Sequence, residues 1–182
     1  MHRGLELFNR APAATARGHL LTCCAAHQWA GRLTTHRPYP DLDSALAAAD
    51  EASYDLAPTD LVEALAAEQP HGPHPLGVPP AALTALRAAH AAYESRFGHV
   101  FVIALDGYRP DEHLDQTLAG LRGRLGNAPE EERVIAADEL RRVARARLAQ
   151  LLARLGEPAA EKAEKSREFP DSGPTDSPYV PV

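Results

Sequence analysis

The sequence has few of the residues that favour β-sheet. Valine and isoleucine together number 10 of 182 residues, and aromatic residues make up 5% of the chain. Alanine and leucine, which favour helix, account for about a third of the chain. The composition therefore predicts an all-α protein, built as a single-domain bundle of several helices.

The sequence also lacks an excess of positive charge and any long apolar run. Its 19 Lys and Arg are outnumbered by 25 Asp and Glu, which gives a net charge of −6. A nucleic-acid partner needs a basic face to neutralise phosphates, so we expect none. No run approaches the roughly 20 apolar residues that span a bilayer, and the start, Met1 to Gly4, has no apolar signal core. We therefore expect no membrane partner and a cytoplasmic location.

Cysteine is scarce, and the two cysteines, Cys23 and Cys24, are adjacent. If they are neighbours in a helix, their side chains point about 100° apart and cannot pair easily. Two cysteines without C-x-x-C spacing give no zinc site, and the nine histidines lack close-set metal spacing. No glycine-rich nucleotide motif or hydrolase motif occurs. We expect buried or half-buried thiols, no metal and no cofactor.

Proline is concentrated near the C-terminus, where residues 157–182 hold five of the 16 prolines and little that could be buried. This segment is predicted to be a disordered tail, so that residues 1–156 form the domain. Prolines and glycines divide this domain into six predicted helices. These are Pro12–Leu33 (straight or kinked midway), Asp43–Tyr54, Thr59–Glu68, Pro79–Gly98, Pro110–Gly126 and Pro129–Gly156.

Two stretches between the predicted helices have a different character. Residues 69–80 contain five prolines and two glycines, which predicts a loop. Residues 99–105 are a short apolar run without a second run to pair with. We interpret this run as a buried extended segment or a helical turn, whose backbone groups need other partners.

Arg147 is the charged residue whose position in the pattern is most informative. On a helical wheel it lies about 20° from Leu140, in the middle of the apolar face of the last helix. Arg141, Arg142 and Arg145 project from other faces, where we expect them to be solvated, and Arg154 is close enough to the helix end to reach water. Arg147 therefore needs a partner, which is either a buried carboxylate or an anionic ligand held by the guanidinium.

Three histidines are candidates for an acid or base. His90 lies between Leu86 and Tyr93 on the apolar face of its predicted helix, where a hydrogen-bonded core histidine is the simpler interpretation. His71 and His74 lie in the proline-rich loop and could act as an acid or base if a pocket enclosed them. The residues alone do not choose among the three.

Several segments in order resemble the OHCU decarboxylase family. These cofactor-free enzymes of urate degradation decarboxylate 2-oxo-4-hydroxy-4-carboxy-5-ureidoimidazoline (OHCU) to (S)-allantoin. The resemblance covers roughly residues 5–152. It rests on LELFNRAP, LLTCCAAHQWAGRL, HRPYPDLDSALAAAD, DLVEALAA, AAYESRFGHVFVIALDG, RLGNAPEEERVIAADEL and VARARL.

The resemblance implies an all-helical homodimer acting on a small purine-derived substrate, without a cofactor. It implies that a histidine of an H-P motif is the acid, which here matches His74 followed by Pro75, and that Arg147 binds substrate. The family's F-V-I segment, which holds the substrate ring, corresponds here to Ile103 and the following residues. The substrate-binding residues implied in that segment are Ile103, Ala104, Leu105, Asp106 and Gly107.

The sequence departs from the family pattern around the acid. Where the family has H-P directly after E-A-hydrophobic-x-A, this chain has Glu68-Gln69-Pro70, and His74-Pro75 follows later. The family's S-x-x-E-Q segment is absent, together with about twenty residues of connection. Two hypotheses follow: a shortened decarboxylase, or a noncatalytic or repurposed member that binds a small molecule or serves in assembly.

Overall fold

The computed structural model describes residues 3–69 and 79–157, and it confirms the predicted all-α fold. Eight helices lie within these ranges, and no strand does. They are α1 (Arg3–Arg10), α2 (Ala13–Leu21), α3 (His27–Thr35), α4 (Leu42–Tyr54), α5 (Pro58–Ala67), α6 (Pro80–Phe97), α7 (His113–Arg124) and α8 (Pro129–Gly156).

The longest helix, α8, is the axis of the fold. Its 28 residues extend about 42 Å, and both α1 and α4 pack along it. Pro129 occupies the first turn with three glutamates behind it, an arrangement that suits a helix N-terminus. The predicted bounds of this helix are confirmed. Its buried face presents Ala136, Leu140, Ala144 and Leu148 to the main hydrophobic cluster.

The contact between α1 and α8 depends on a glycine. A Cβ atom placed on Gly4 would lie 1.7 Å from the carbonyl oxygen of Leu152, far inside contact distance. Leu5 and Phe8 of α1 are buried in the same cluster as Leu152. The absence of a side chain at Gly4 therefore lets the two helix backbones approach closely enough to bury these residues.

The predicted helix Pro12–Leu33 is instead two helices. α2 ends at Leu21, where the carbonyl oxygen of His19 accepts hydrogen bonds from the Thr22 hydroxyl at 2.7 Å and from the Thr22 backbone N–H at 3.2 Å. Cys23 and Cys24 lie in the connection to α3 and not within a helix. Both thiols are free and buried, as predicted, but the helical geometry assumed for them is wrong.

Smaller differences have local causes. Pro58 occupies the first turn of α5, so Ala57 and not Thr59 is its N-cap residue. α7 starts at His113, three residues later than predicted, because Glu112 accepts a hydrogen bond from the backbone N–H of Arg109 and closes a turn ahead of the helix. α6 ends as predicted at Gly98, which has a left-handed φ of 77°.

The apolar run at residues 99–105 is an extended segment without regular secondary structure, in agreement with the first of its two interpretations. Val102 and Ala104 belong to the main cluster, which also contains α1–α5 and α8. Phe101 and Ile103 face a second, smaller cluster formed by α6 and α7. Alternate residues thus face opposite sides, so this segment lies between the two clusters and contributes side chains to both.

A buried polar network links the helices around this segment. The Arg124 guanidinium donates to Glu132 at 2.5 Å and 2.8 Å and to the Val102 carbonyl at 2.8 Å. The Tyr93 hydroxyl donates to the same Glu132 carboxylate, and Asn127 donates to its other oxygen at 2.8 Å. The Glu132 side chain has no exposed surface. One carboxylate therefore connects α6, α7 and α8.

Two predicted regions lie outside the described residues. These are most of the proline-rich loop, including His71, His74 and Pro75, and the predicted tail from residue 158 onward. Among the helices of the described ranges, none combines the length and apolar character that a membrane crossing requires.

Candidate functional site

Arg147 is partly buried on α8, with 39% of its side-chain surface exposed, and its partner is a carboxylate. Its Nη1 and Nη2 donate to the two oxygens of Glu68 at 2.6 Å and 2.8 Å, a bidentate pair. Nη1 also donates to the Cys23 carbonyl oxygen at 3.2 Å. The Glu68 hydrogen bond, outweighing the opposing effect of burial, raises the pKa of Arg147 further above its ordinary value. The guanidinium is therefore a fixed cation.

Glu68, the partner of Arg147, could not be predicted from the helical pattern. It is the C-cap residue of α5, with extended backbone angles that end the helix and turn its side chain towards α8. The side chain keeps only 7% of its surface exposed, against 39% for Arg147. The available signal was its place in the sequence, because Glu68 stands where the resembled family has its histidine.

The pair still leaves part of the guanidinium open. Both Nη1 protons and one Nη2 proton are used by Glu68 and Cys23. Among the described residues, Nε has no hydrogen-bond acceptor, and neither does the second Nη2 proton. Nε and Nη2 form one edge of the planar group, so this edge could bind a carboxylate or a ring carbonyl.

The two cysteines border Arg147 without offering a nucleophile. Burial raises the pKa of the Cys23 thiol to about 11, despite the opposing influence of a hydrogen bond and of nearby Arg147. Burial also raises the pKa of the Cys24 thiol. Thiols with such pKa values are protonated at neutral pH and therefore do not attack carbonyl groups. What Cys23 supplies to the site is its backbone carbonyl.

The predicted ring-binding segment is positioned by α7 and α8. The Ala104 N–H donates to Glu139 of α8 at 2.6 Å, and the Leu105 carbonyl accepts from the Tyr108 N–H at 3.0 Å. From Val102 to Ala104 the contacts advance from the Arg124–Glu132 pair to Glu139, so the segment follows α8 towards the half that carries Arg147. Arg147 lies about 12 Å beyond Glu139 along the helix axis.

These contacts limit the backbone groups of the segment that can bind a ligand. The Ala104 amide proton is already committed to Glu139, so a ligand would meet other groups of this residue. Asp106 and Gly107 are exposed in the turn that follows, and Ile103 and Leu105 are partly buried. The substrate-binding role of these five residues remains a prediction.

Of the three candidate histidines, His90 lies within the described residues and the two loop histidines do not. The His90 ring on α6 stands edge-on to Phe101, with ring centroids 6.0 Å apart, which agrees with a core-facing histidine. His71, His74 and the adjacent Pro75 lie outside the described residues, so His74 as the acid and Pro75 as a substrate contact remain predictions.

Of the three arginines of α8 that were predicted to be solvated, Arg141 is an exception. It keeps 18% of its side-chain surface exposed and donates to Asp50 of α4 at 2.9 Å, because α4 packs along this face of α8. Arg145 donates to the other Asp50 oxygen at 2.5 Å but keeps 40% of its side-chain surface exposed, and Arg142 keeps 43%. Arg154 is exposed near the helix end, as predicted.

In the described part of the chain, a cavity lies away from the predicted site residues, and no cluster of potential metal ligands occurs. A cavity of about 240 Å³ between α3 and α4 is lined by Arg32, His36 and Glu51, and contains none of the predicted site residues. Within residues 3–69 and 79–157, no group of three or more His, Cys, Asp or Glu side chains is placed to hold a metal ion.

Together, the fold and the site define a class. This is an all-helical protein in which a long last helix presents an arginine and supports an extended F-V-I segment. Residues 68–149 match the family model described as OHCU decarboxylase. This match confirms the resemblance predicted from the sequence.

Solved structures agree with this class. A structure described as OHCU decarboxylase in the presence of (S)-allantoin is 26% identical, with a TM-score of 0.62, covering 73% of this chain and 96% of that one. An (S)-allantoin synthase structure is 20% identical, with a TM-score of 0.64, covering 81% of this chain and 53% of that one. The chain thus spans about half the length of that synthase, a likeness that concerns the fold. The search of curated proteins found no match.

Proposed function

We propose that this protein is a cofactor-independent carboxy-lyase of urate degradation, which converts OHCU to (S)-allantoin. The observation that carries the proposal is Arg147. By the sequence resemblance, Arg147 matches the arginine that the family uses for substrate. It is fixed as a cation and keeps its Nε–Nη2 edge open among the described residues. The family match over residues 68–149 and the fold support the same class of reaction.

The proposed chemistry needs one anchor and one acid. Arg147 binds the anionic substrate, and the backbone from Ile103 to Gly107 holds the ring. The bond between the hydroxyl-bearing ring carbon and the carboxylate breaks and CO₂ leaves. The bonding electron pair forms a double bond to the neighbouring ureido-bearing carbon, while the electrons of the ring C=N bond move onto its nitrogen. His74 then delivers a proton to one face of the ureido-bearing carbon as the enol hydroxyl loses its proton and becomes the ring carbonyl, which gives a single enantiomer. Directed donors around the ring favour this dispersal of charge.

The same proposal includes a homodimer, which rests on the family resemblance, and the cytoplasmic location expected from the sequence. Size-exclusion chromatography with light scattering measures the mass directly. We expect twice the mass of the 19.6 kDa chain, and a monomer at all concentrations would contradict this part of the proposal.

The activity test uses freshly generated OHCU and follows optical activity. The protein should speed formation of (S)-allantoin beyond the spontaneous route, which gives a racemate. His74→Ala and Arg147→Ala should each reduce kcat/KM by about 100-fold or more. Arg133→Ala is the matched control, because Arg133 is also an ion-paired arginine of α8, with Glu130 as its partner. No acceleration by the native protein would overturn the proposal.

The histidine assignment has its own test. If His74→Ala retains activity while His71→Ala or His90→Ala abolishes it, the acid is a different histidine. His90 packs against Phe101 in the smaller cluster, so His90→Ala could lose activity because the fold is destabilised. A melting curve of each variant separates this effect from the loss of the acid. A variant that melts normally but has no activity identifies the acid.

A second function is favoured by one observation, the neutralisation of Arg147 by Glu68 at the place of the family's histidine. In this alternative, the protein is a noncatalytic member that binds a small ureide or serves in assembly. Isothermal titration with (S)-allantoin distinguishes the two functions. Binding without any turnover of OHCU would support the binding module.

A further inference from the structure

The contacts of Arg147 divide its guanidinium into two edges. The end-on edge, Nη1 and Nη2, faces the Glu68 carboxylate at 2.6 Å and 2.8 Å, and Nη1 is held additionally by the Cys23 carbonyl at 3.2 Å. The side-on edge, Nε and the second proton of Nη2, has no acceptor among the described residues. Three bonds from two different parts of the chain thus fix the plane of the group.

We propose that Glu68 is a positioning residue, which orients Arg147 so that ligand binds on its Nε–Nη2 edge. This inference rests on the proposed function and adds to it the residue that sets the geometry of recognition. The ligand class is a planar acceptor group, either a carboxylate or the carbonyl of a ureide ring, because two parallel N–H groups match two acceptor positions.

The burial of the pair argues that it is built to hold one geometry. An exposed ion pair loses most of its energy to water and to side-chain entropy, but here the Glu68 carboxylate is nearly covered. Glu68 also lies at the C-cap of α5, three residues after buried Leu65. Because both of its carboxylate oxygens bond to the guanidinium, it can restrain the longer arginine side chain.

The pair also determines what charge a ligand meets. Glu68 cancels the charge of Arg147, so recognition depends on hydrogen-bond geometry more than on attraction between net charges. Arg147→Lys would keep the positive charge but lose the second parallel donor. We therefore expect Arg147→Lys to bind ligand as weakly as Arg147→Ala does.

The test uses the full chain and the Nε–H signal of Arg147 in ¹⁵N–¹H NMR spectra, assigned with Arg147→Lys. In the native protein this signal should show a heteronuclear NOE close to that of the α8 backbone, and in Glu68→Ala the NOE should fall clearly below it. Glu63→Ala is the matched control, because Glu63 lies on the same helix but pairs with exposed His27. Far-UV circular dichroism checks that all variants stay helical.

Ligand binding is then tested with two defined probes, acetate for a carboxylate and hydantoin for a ureide ring. At least one should shift the native Nε–H signal in a saturable manner. No shift with either probe, or an unchanged NOE in folded Glu68→Ala, would overturn the inference. OHCU turnover is measured separately. Turnover without a shift would reject only the inference, whereas a shift without turnover would reject only the proposed reaction.

Discussion

At the scale of single residues, two glutamates show how burial and partners decide what a charge does. Glu68 bonds to one arginine, Arg147, whose Nε–Nη2 edge has no acceptor within residues 3–69 and 79–157. Glu132, by contrast, is enclosed by Arg124, Tyr93 and Asn127. Burial alone would raise the pKa of Glu132, but the hydrogen bonds from these three partners outweigh it and lower the pKa. Glu132 is therefore ionised at neutral pH and serves stability.

Replacing Glu132 should destabilise the fold in a pH-dependent way. Glu132→Gln leaves Arg124 buried without its counter-charge, which should cost about 3–5 kcal/mol of unfolding free energy at pH 7. Because the folded pKa is lowered, this contribution is present above the unfolded value near about 4.3 and is lost as pH falls through the folded pKa. Urea unfolding from pH 7 to pH 3 should show a smaller acid-induced loss in the variant.

The control for that experiment is Glu131→Gln, an exposed neighbour in the same first turn of α8. It should change stability by well under 1 kcal/mol. Equal losses in the two variants would mean that the helix dipole, and not the buried network, accounts for the effect.

The sequence predicts the position of some of these charged residues but not their partners. Helical periodicity places Arg147 on the apolar face of α8, and in the structure its side chain is partly buried. Periodicity cannot identify Glu68, which lies 79 positions away and reaches α8 only through the packing of α5. The prediction that Arg141 is solvated is wrong for the same reason, since the helical wheel gives the direction of its side chain but not the presence of Asp50 on α4.

At the scale of elements, local signals decide which boundaries can be predicted. Pro129 and the glutamates after it mark the start of α8, and Gly98 marks the end of α6. The break between α2 and α3 has no proline, and its one local signal is Thr22, which bonds back to His19. Tertiary burial of Cys23 and Cys24 accompanies this break, and propensity does not encode it.

The close approach of α1 and α8 gives a prediction at this scale. Gly4→Ala puts a Cβ atom 1.7 Å from the Leu152 carbonyl, so the helices must separate. We expect a loss of about 1–3 kcal/mol in unfolding free energy, measured by urea denaturation. Gly18→Ala is the matched control, because Gly18 is exposed on α2 and no heavy atom lies within 4 Å of its added methyl. It should be neutral or stabilise by up to about 1 kcal/mol.

A result in which both glycine variants behave alike would contradict this account. If Gly4→Ala were as stable as Gly18→Ala, the backbone contact between α1 and α8 would be looser than the structure has it. Melting temperatures of the two variants, compared at one pH, give a second measurement of the same difference.

At the scale of the whole molecule, the extended segment at residues 99–105 unites the two hydrophobic clusters. Its apolar character could be seen in the sequence. The alternation of its side chains between the two clusters and its polar partners could not, since those partners are side chains of α7 and α8. Arg124 holds the Val102 carbonyl and Glu139 holds the Ala104 N–H. The same contacts position the residues that are predicted to bind the ring.

This arrangement predicts that the two clusters unfold together. Leu121 is fully buried in the smaller cluster, and Leu121→Ala should cost about 2–5 kcal/mol. The single tryptophan, Trp29, lies in the main cluster and therefore reports on the other half of the fold. If the Arg124 network couples the halves, Leu121→Ala should shift the urea midpoint of Trp29 fluorescence as far as that of far-UV circular dichroism. Val62→Ala, at a position that is 63% exposed, should shift neither midpoint appreciably. An unchanged Trp29 midpoint, with an earlier separate loss of helix signal, would show that the clusters unfold independently and that the segment between them is not a coupling element.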